Sequence, residues 1–160
     1  MMLTSDVLQA QRQTVETAVT DAFVRHAIEN RGILTSPRRG TAVAARLFDL
    51  VSHYLDGQVG ETEVTAWATE LVEQGLSLTT ASAMLRALLT AVPSSTQPTP
   101  RLNEFHLLFL EKIAVARELW LHSLQEQSQA ALQRALHQQL DQQITLHEAQ
   151  KRQTKGSAVF

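Results

Sequence analysis

The sequence predicts an all-α fold, a compact helical domain feeding one long C-terminal helix. Three observations lead there. Glycine and proline fall at a few breaks, with the one dense proline cluster at Pro93 to Pro100. The segments between the breaks are rich in Ala, Leu, Gln, Glu and Arg, all good helix formers. No run of alternating β-branched residues reads as a strand. At 160 residues and 44% hydrophobic, the chain can bury one core but not two comfortable ones.

A first helix is expected over about Asp6 to Asn30. Leu8, Val15, Val19, Ala22, Phe23 and His26 recur mostly at three- and four-residue steps and form an apolar stripe. Ser5 or Asp6 can cap its start and Gly32 follows its end. After a break at Ser36-Pro37-Arg38-Arg39-Gly40, a second helix begins near Thr41. It places Val43, Leu47, Leu50, Val51 and Tyr54 on one face and stops at Asp56-Gly57. The third helix, Glu61 to Gln74, turns Val64, Trp67, Ala68 and Leu71 inward, with Gly75 as its C-cap. The fourth runs from about Thr79 to Val92 and buries Ala81, Met84, Leu85, Leu88 and Leu89. Only Gly75-Leu76-Ser77-Leu78 separates the third from the fourth, so those two must be close neighbours.

Residues Pro93 to Pro100 (PSSTQPTP) read as an exposed loop. From Leu102 to about Gln150 no Gly or Pro interrupts the pattern, which allows one very long helix. Its first part carries large apolar groups (Phe105, Leu108, Phe109, Ile113, Leu119 and Trp120), whereas beyond Leu121 glutamine dominates and the stripe narrows. A wide stripe suits a core and a narrow one suits a single partner helix. A homodimer interface is therefore expected on Trp120, Leu121, Leu124, Ala131, Leu132, Leu136 and Leu140. Leu132, Leu136, Leu140 and Ile144 step by four, which drifts across a straight helix and predicts a short or irregular coiled coil. The expected organisation is a helical sensor domain over 1–125 and a coiled-coil linker and tail over 126–160.

Chemistry is hard to find. The chain lacks cysteine, which removes disulfides and thiolate metal sites. No two of the six histidines lie three or four residues apart, so no helix offers a paired His–His metal site. Asp49/His53 and Glu118/His122 are i, i+4 pairs that read as surface charge pairs. His147-Glu148 lacks the downstream proline of a phospho-accepting histidine motif. Nucleophile elbows and phosphate-cradling glycine loops are missing, and Gly57-Gln58-Val59-Gly60 carries no basic residue and reads as an interhelical turn. A net charge of −2 invites neither nucleic acid nor an anionic membrane. No basic stretch followed by an apolar run marks a signal peptide, so a cytoplasmic, non-enzymatic protein without a cofactor is expected. A small-ligand pocket near Phe48, Trp67 and Met84 is weighed against simple core filling by the same residues.

The segment Trp67-Ala68-Thr69-Glu70-Leu71-Val72-Glu73-Gln74-Gly75-Leu76-Ser77-Leu78, running on to Ala81 and Leu85-Arg86-Ala87-Leu88, resembles the N-terminal sensor domain of RsbR-type stressosome proteins and related bacterial signalling proteins. The order of elements agrees over roughly residues 5 to 125, down to a late tryptophan, Trp120. The resemblance implies a globin-like helical fold, dimeric and generally without haem, upstream of an output module such as STAS, PAS or a kinase. It implies partners in a stress-response pathway and makes the long helix the element that carries a conformational change onward. Haem would call for a proximal histidine on the helix at Thr79–Val92, which has none, leaving only non-standard ligands such as His53 or His106. No output domain follows the long helix, a departure from the family that suits an excised N-terminal domain better than a stand-alone relative. A haem-binding gas or redox sensor and a structural coiled-coil adaptor are the alternative readings.

Overall fold

Six α-helices and three single 3-10 turns account for nearly all of the chain that the computed structural model describes, residues 4–92 and 100–158, with side chains through Thr154. Among the described residues there is no strand. The expected Pro93–Pro100 loop lies outside them except for Pro100, which is helical. The helices are α1 (Ser5–Ala10), α2 (Arg12–His26), α3 (Gly40–Leu55), α4 (Glu61–Glu73), α5 (Leu78–Ala91) and α6 (Pro100–Ala158). Chain contacts divide the molecule into two units, Met1–Trp120 and Leu121–Phe160.

The first expected helix is two. Its hydrogen-bond ladder tightens at Gln11, whose N–H reaches Leu8 O at 3.0 Å and whose φ and ψ of −105° and 12° leave the helical range. Arg12 restarts the helix and is held by Glu16 at 2.9 Å and by Asp49 of α3 at 3.0 Å. At the other end α2 stops at His26 and a 3-10 turn covers Ala27–Glu29. Thr4 caps α1 through its hydroxyl, one residue before the expected cap.

The core of the first unit is filled from every helix. Val15, Val19 and Phe23 of α2 meet Val43, Leu47, Phe48 and Val51 of α3, Val64, Trp67 and Leu71 of α4, and Met84, Leu85 and Leu88 of α5. Into this core α6 inserts Leu102, Phe105, Phe109, Ile113 and Ala116, spaced at three and four residues so that they share one face. Phe105 and Phe109 stack at 5.8 Å, Tyr54 meets Phe105 edge-on at 5.4 Å, and Trp67 lies 5.5 Å from Phe109. Fully burying such a side chain contributes roughly 1.5–3 kcal/mol, so this row holds the start of α6 firmly.

Polar contacts fix its axial position. Arg101 Nε donates to Tyr54 O at 2.7 Å, a carbonyl at the end of α3 that also accepts the Gly57 N–H at 3.1 Å, while its guanidinium covers the Tyr54 ring. Lys112 pairs with Glu61 at 2.8 Å at the start of α4. That contact holds the Glu61 carboxyl below the usual carboxylate range and raises the Lys112 ammonium. Glu63 accepts the Gly60 N–H at 2.7 Å, closing the first turn of α4 and lowering its own pKa.

Candidate functional site

The densest polar construction in the first unit lies where the α2–α3 connection meets the α4–α5 junction, beside the α6 residues Arg117 and Trp120. The junction begins with a helix ending set by sequence. Gly75 follows α4 with φ +110°, its N–H bonds Val72 O at 3.0 Å, and Leu76 N–H reaches back to Leu71 O at 2.9 Å. This is the glycine C-cap that the Gln74-Gly75 pair predicts.

Gly75 also has a second reason to be glycine. Arg31 N–H donates to Gly75 O at 2.8 Å, and a Cβ on Gly75 would lie 1.7 Å from Arg31 O. The approach is reciprocal, since a Cβ on Gly32, itself at φ +58°, would meet Gln74 O at 3.0 Å. Two backbone segments far apart in sequence therefore touch through two side-chain-free residues.

Asn30 clasps them from within. Buried to 4% exposure, it donates through Nδ2 to Leu34 O at 3.0 Å and accepts Ser77 N–H on Oδ1 at 2.8 Å. Ser77 caps α5 by accepting Thr80 N–H at 3.0 Å, and the Thr80 hydroxyl donates to His26 O at 3.1 Å. Each of these buried polar groups is thus satisfied and none is charged, which makes the network rigid instead of reactive.

Onto this clasp α6 is tied twice. Arg117 Nη1 donates to Leu76 O at 3.1 Å, and the Arg31 guanidinium lies 3.6 Å from the centre of the Trp120 ring. A cation at that distance from an indole face is attracted by its quadrupole. Trp120, expected at a dimer interface, is half-buried against the core of its own chain. The other expected interface residues, Leu121, Leu124, Ala131, Leu132, Leu136 and Leu140, are all exposed.

Phe48, Trp67 and Met84, the residues weighed for a ligand pocket, are buried in the core at 1%, 3% and 0% exposure. Trp67 also borders an open groove of about 380 Å³ between α3 and α4, shared with Arg46, Asp49, His53, Glu63 and Glu70. Arg46 and Glu70 bridge that groove at 3.0 Å. His53 is exposed and His106 half-buried, the latter with its Nδ1 buried and unpartnered. Among the described residues no three of His, Asp and Glu gather as a metal-binding group, and no helix is long and apolar enough to cross a membrane.

Sequence reasoning marked Gly75, Leu76 and Ser77 as a helix junction and Trp120 as an interface residue, but did not join them or name Asn30, Arg31 or Arg117 beside them. Asn30-Arg31-Gly32 carries a turn signal, yet its partners lie more than forty residues away in sequence and no local pattern names them. No protein-family model, curated protein or solved structure matches the chain.

Proposed function

We propose that the chain is a non-enzymatic sensory or regulatory input domain of the RsbR stressosome kind, globin-like in arrangement and working without haem. In this reading it acts in the cytoplasm as a homodimer and relays a signal through α6 to an output module of a stress-response pathway. One observation carries the reading. A single helix contributes Leu102 to Ala116 to the core, is tied by Arg117 and Trp120 to a junction, and then exposes a series of leucines. Leu124, Leu132, Leu136 and Leu140 are 47–62% exposed on a glutamine-rich helix. Such a stripe gains most by meeting another helix, because helical stability in proteins comes mainly from packing an amphipathic face. A helix with one end in the core and the other at an interface is a plausible two-state element, since shifting it alters both.

Light scattering on the full chain after size exclusion tests the pairing, with an absorbance spectrum on the same peak. A colourless dimer is expected. A monomer overturns the pairing, and a Soret band replaces this reading with the haem sensor. The relay is tested by hydrogen exchange in the wild type and in Arg31→Ala. Faster exchange in the turns just after Trp120 is expected; identical exchange there would refute coupling through the Arg31–Trp120 contact.

A further inference from the structure

Most of the exposed large apolar side chains of the second unit form one row that does not follow a coiled-coil seam, with Leu121 and Leu146 lying off it. Leu124, Leu132, Leu136, Leu140 and Ile144 are spaced by multiples of four, with Ser128 at the remaining step. At 3.6 residues per turn each step of four advances the row by about 40° around the helix, so the row winds through roughly 200° between 124 and 144. A heptad seam averages 3.5 residues per turn and stays on one side. For each neighbouring pair between Leu132 and Ile144 that could set a heptad register, the next positions are polar. Leu132 and Leu136 are followed by Gln139 and preceded by Gln129; Leu136 and Leu140 by Gln143 and Gln133; Leu140 and Ile144 by His147 and His137. A row spaced by four is instead the ridge that packs ridge-into-groove against a like ridge, with axes crossing at about −50°.

The charge pattern selects the occupant. Between Leu124 and Ile144 the charged residues are Glu126, Arg134 and Asp141. Glu126 and Arg134 each lie two residues from ridge positions on both sides, which puts them on the opposite face, and Glu126 is engaged by His122 at 3.2 Å. The positions flanking the ridge are largely amides: Gln125, Gln129, Gln133, Gln139 and Gln143. An oppositely charged partner would find little to match, and an anionic membrane surface would find no basic rim. A primary amide both donates and accepts, so a row of them is complementary to itself. We propose that the second unit is covered by a second copy of this chain, through a right-handed crossing of the two ridges centred near Leu132 and Leu136. This rests on the dimer reading and adds its geometry.

The cysteine-free chain suits the test. Single cysteines are placed in the full protein at Ser128, Leu132, Leu136, Leu140, Gln143 and Ile144, the mass of each is measured, and disulfide formation is driven by a mild oxidant. Helices inclined at about 50° part sideways by about 10 Å within roughly eight residues of the crossing. Dimeric protein that cross-links at Leu132→Cys or Leu136→Cys, with at least a tenfold loss at Ile144→Cys, is the expected result. Efficient cross-linking at Leu136→Cys, Leu140→Cys and Gln143→Cys alike, following four- and three-residue steps, overturns the crossing and leaves the dimer standing. A monomeric wild type overturns both. Leu132→Gln combined with Leu136→Gln should convert dimer to monomer while the first unit still unfolds cooperatively by tryptophan fluorescence; an undiminished dimer places the contact elsewhere and overturns the proposal.

Discussion

Gly75→Ala is the substitution by which the junction is best judged. Two costs add at this position. The first is conformational: φ +110° is a region that side chains rarely adopt, worth roughly 1–3 kcal/mol. The second is steric, because the added carbon would sit 1.7 Å from Arg31 O and 2.3 Å from its carbonyl carbon. Both atoms are backbone, so no side chain can swing away. Restoring ordinary contact demands a shift of well over an ångström, enough to break the 2.8 Å bond from Arg31 N–H to Gly75 O and to strain the one from Ser77 N–H to Asn30. Each lost bond adds about 0.5–1.5 kcal/mol, more where a buried group is left unpaired. The sum is about 3–5 kcal/mol, which lowers Tm by roughly 10–20 °C for a unit of this size.

Gly57→Ala supplies the control. Gly57 has a comparable left-handed φ of +76°, but nothing lies within 4 Å of its added carbon. Its cost is the conformational part alone, about 1 kcal/mol. Thermal unfolding of both variants should be followed by tryptophan fluorescence, because Trp67 is buried in the first unit and helicity alone would mix in the second. A Gly75→Ala protein that melts within about 3 °C of Gly57→Ala would refute the close approach and with it the clasp.

Two further outcomes follow from the same construction. Asn30→Ala removes a buried group that bridges Leu34 O and Ser77 N–H, and should cost about 2–4 kcal/mol by urea unfolding; a loss under about 0.5 kcal/mol would mean the segments hold without it. Glu61 and Glu63 have folded pKa values below 4.5, so the stability they contribute is fully present above that value and fades as pH falls through the lowered ones. The urea midpoint should therefore drop as pH falls below about 4.5, and the double variant Glu61→Gln, Glu63→Gln should show a shallower drop; an identical slope would deny these two carboxylates a part.

The elements most legible in the sequence are those whose signals are local. Glycine after Gln74, serine before Leu78 and the three- and four-residue spacing from Leu102 to Ala116 each state their own structure, and α3, α4 and α5 fall within a residue or two of their expected bounds. The break at Gln11 was not legible, because no proline or glycine marks it and the segment reads as one continuous helical pattern. The site was half legible for the same reason. Gly75 is identifiable as a cap from its neighbours, but that its missing side chain also admits Arg31 depends on a chain segment over forty residues away. Trp120 illustrates the same limit. Its position on the stripe is equally compatible with a partner helix and with its own domain, and only the placement of Arg31 over the ring shows which surface it covers here.

The strength of the two ties at Arg117 and Trp120 bears on whether α6 can shift. Arg31 over Trp120 contributes about 0.5–2 kcal/mol, and Arg117 on Leu76 O adds about 0.5–1.5 kcal/mol. Together they lie near the 1–3 kcal/mol typical of coupling between sites, a factor of about 5 to 150 in an equilibrium. Phe105, Phe109 and Ile113 are a different case, since emptying any one of those positions costs about 2–5 kcal/mol, the cavity included. In the proposed relay, a signal of ordinary binding strength would release the tie at Trp120 without pulling α6 out of the core. Movement would begin near Trp120 and leave the start of the helix in place. The Arg31–Trp120 contact is accordingly the place where a small free-energy change would reach α6 at least cost to the fold.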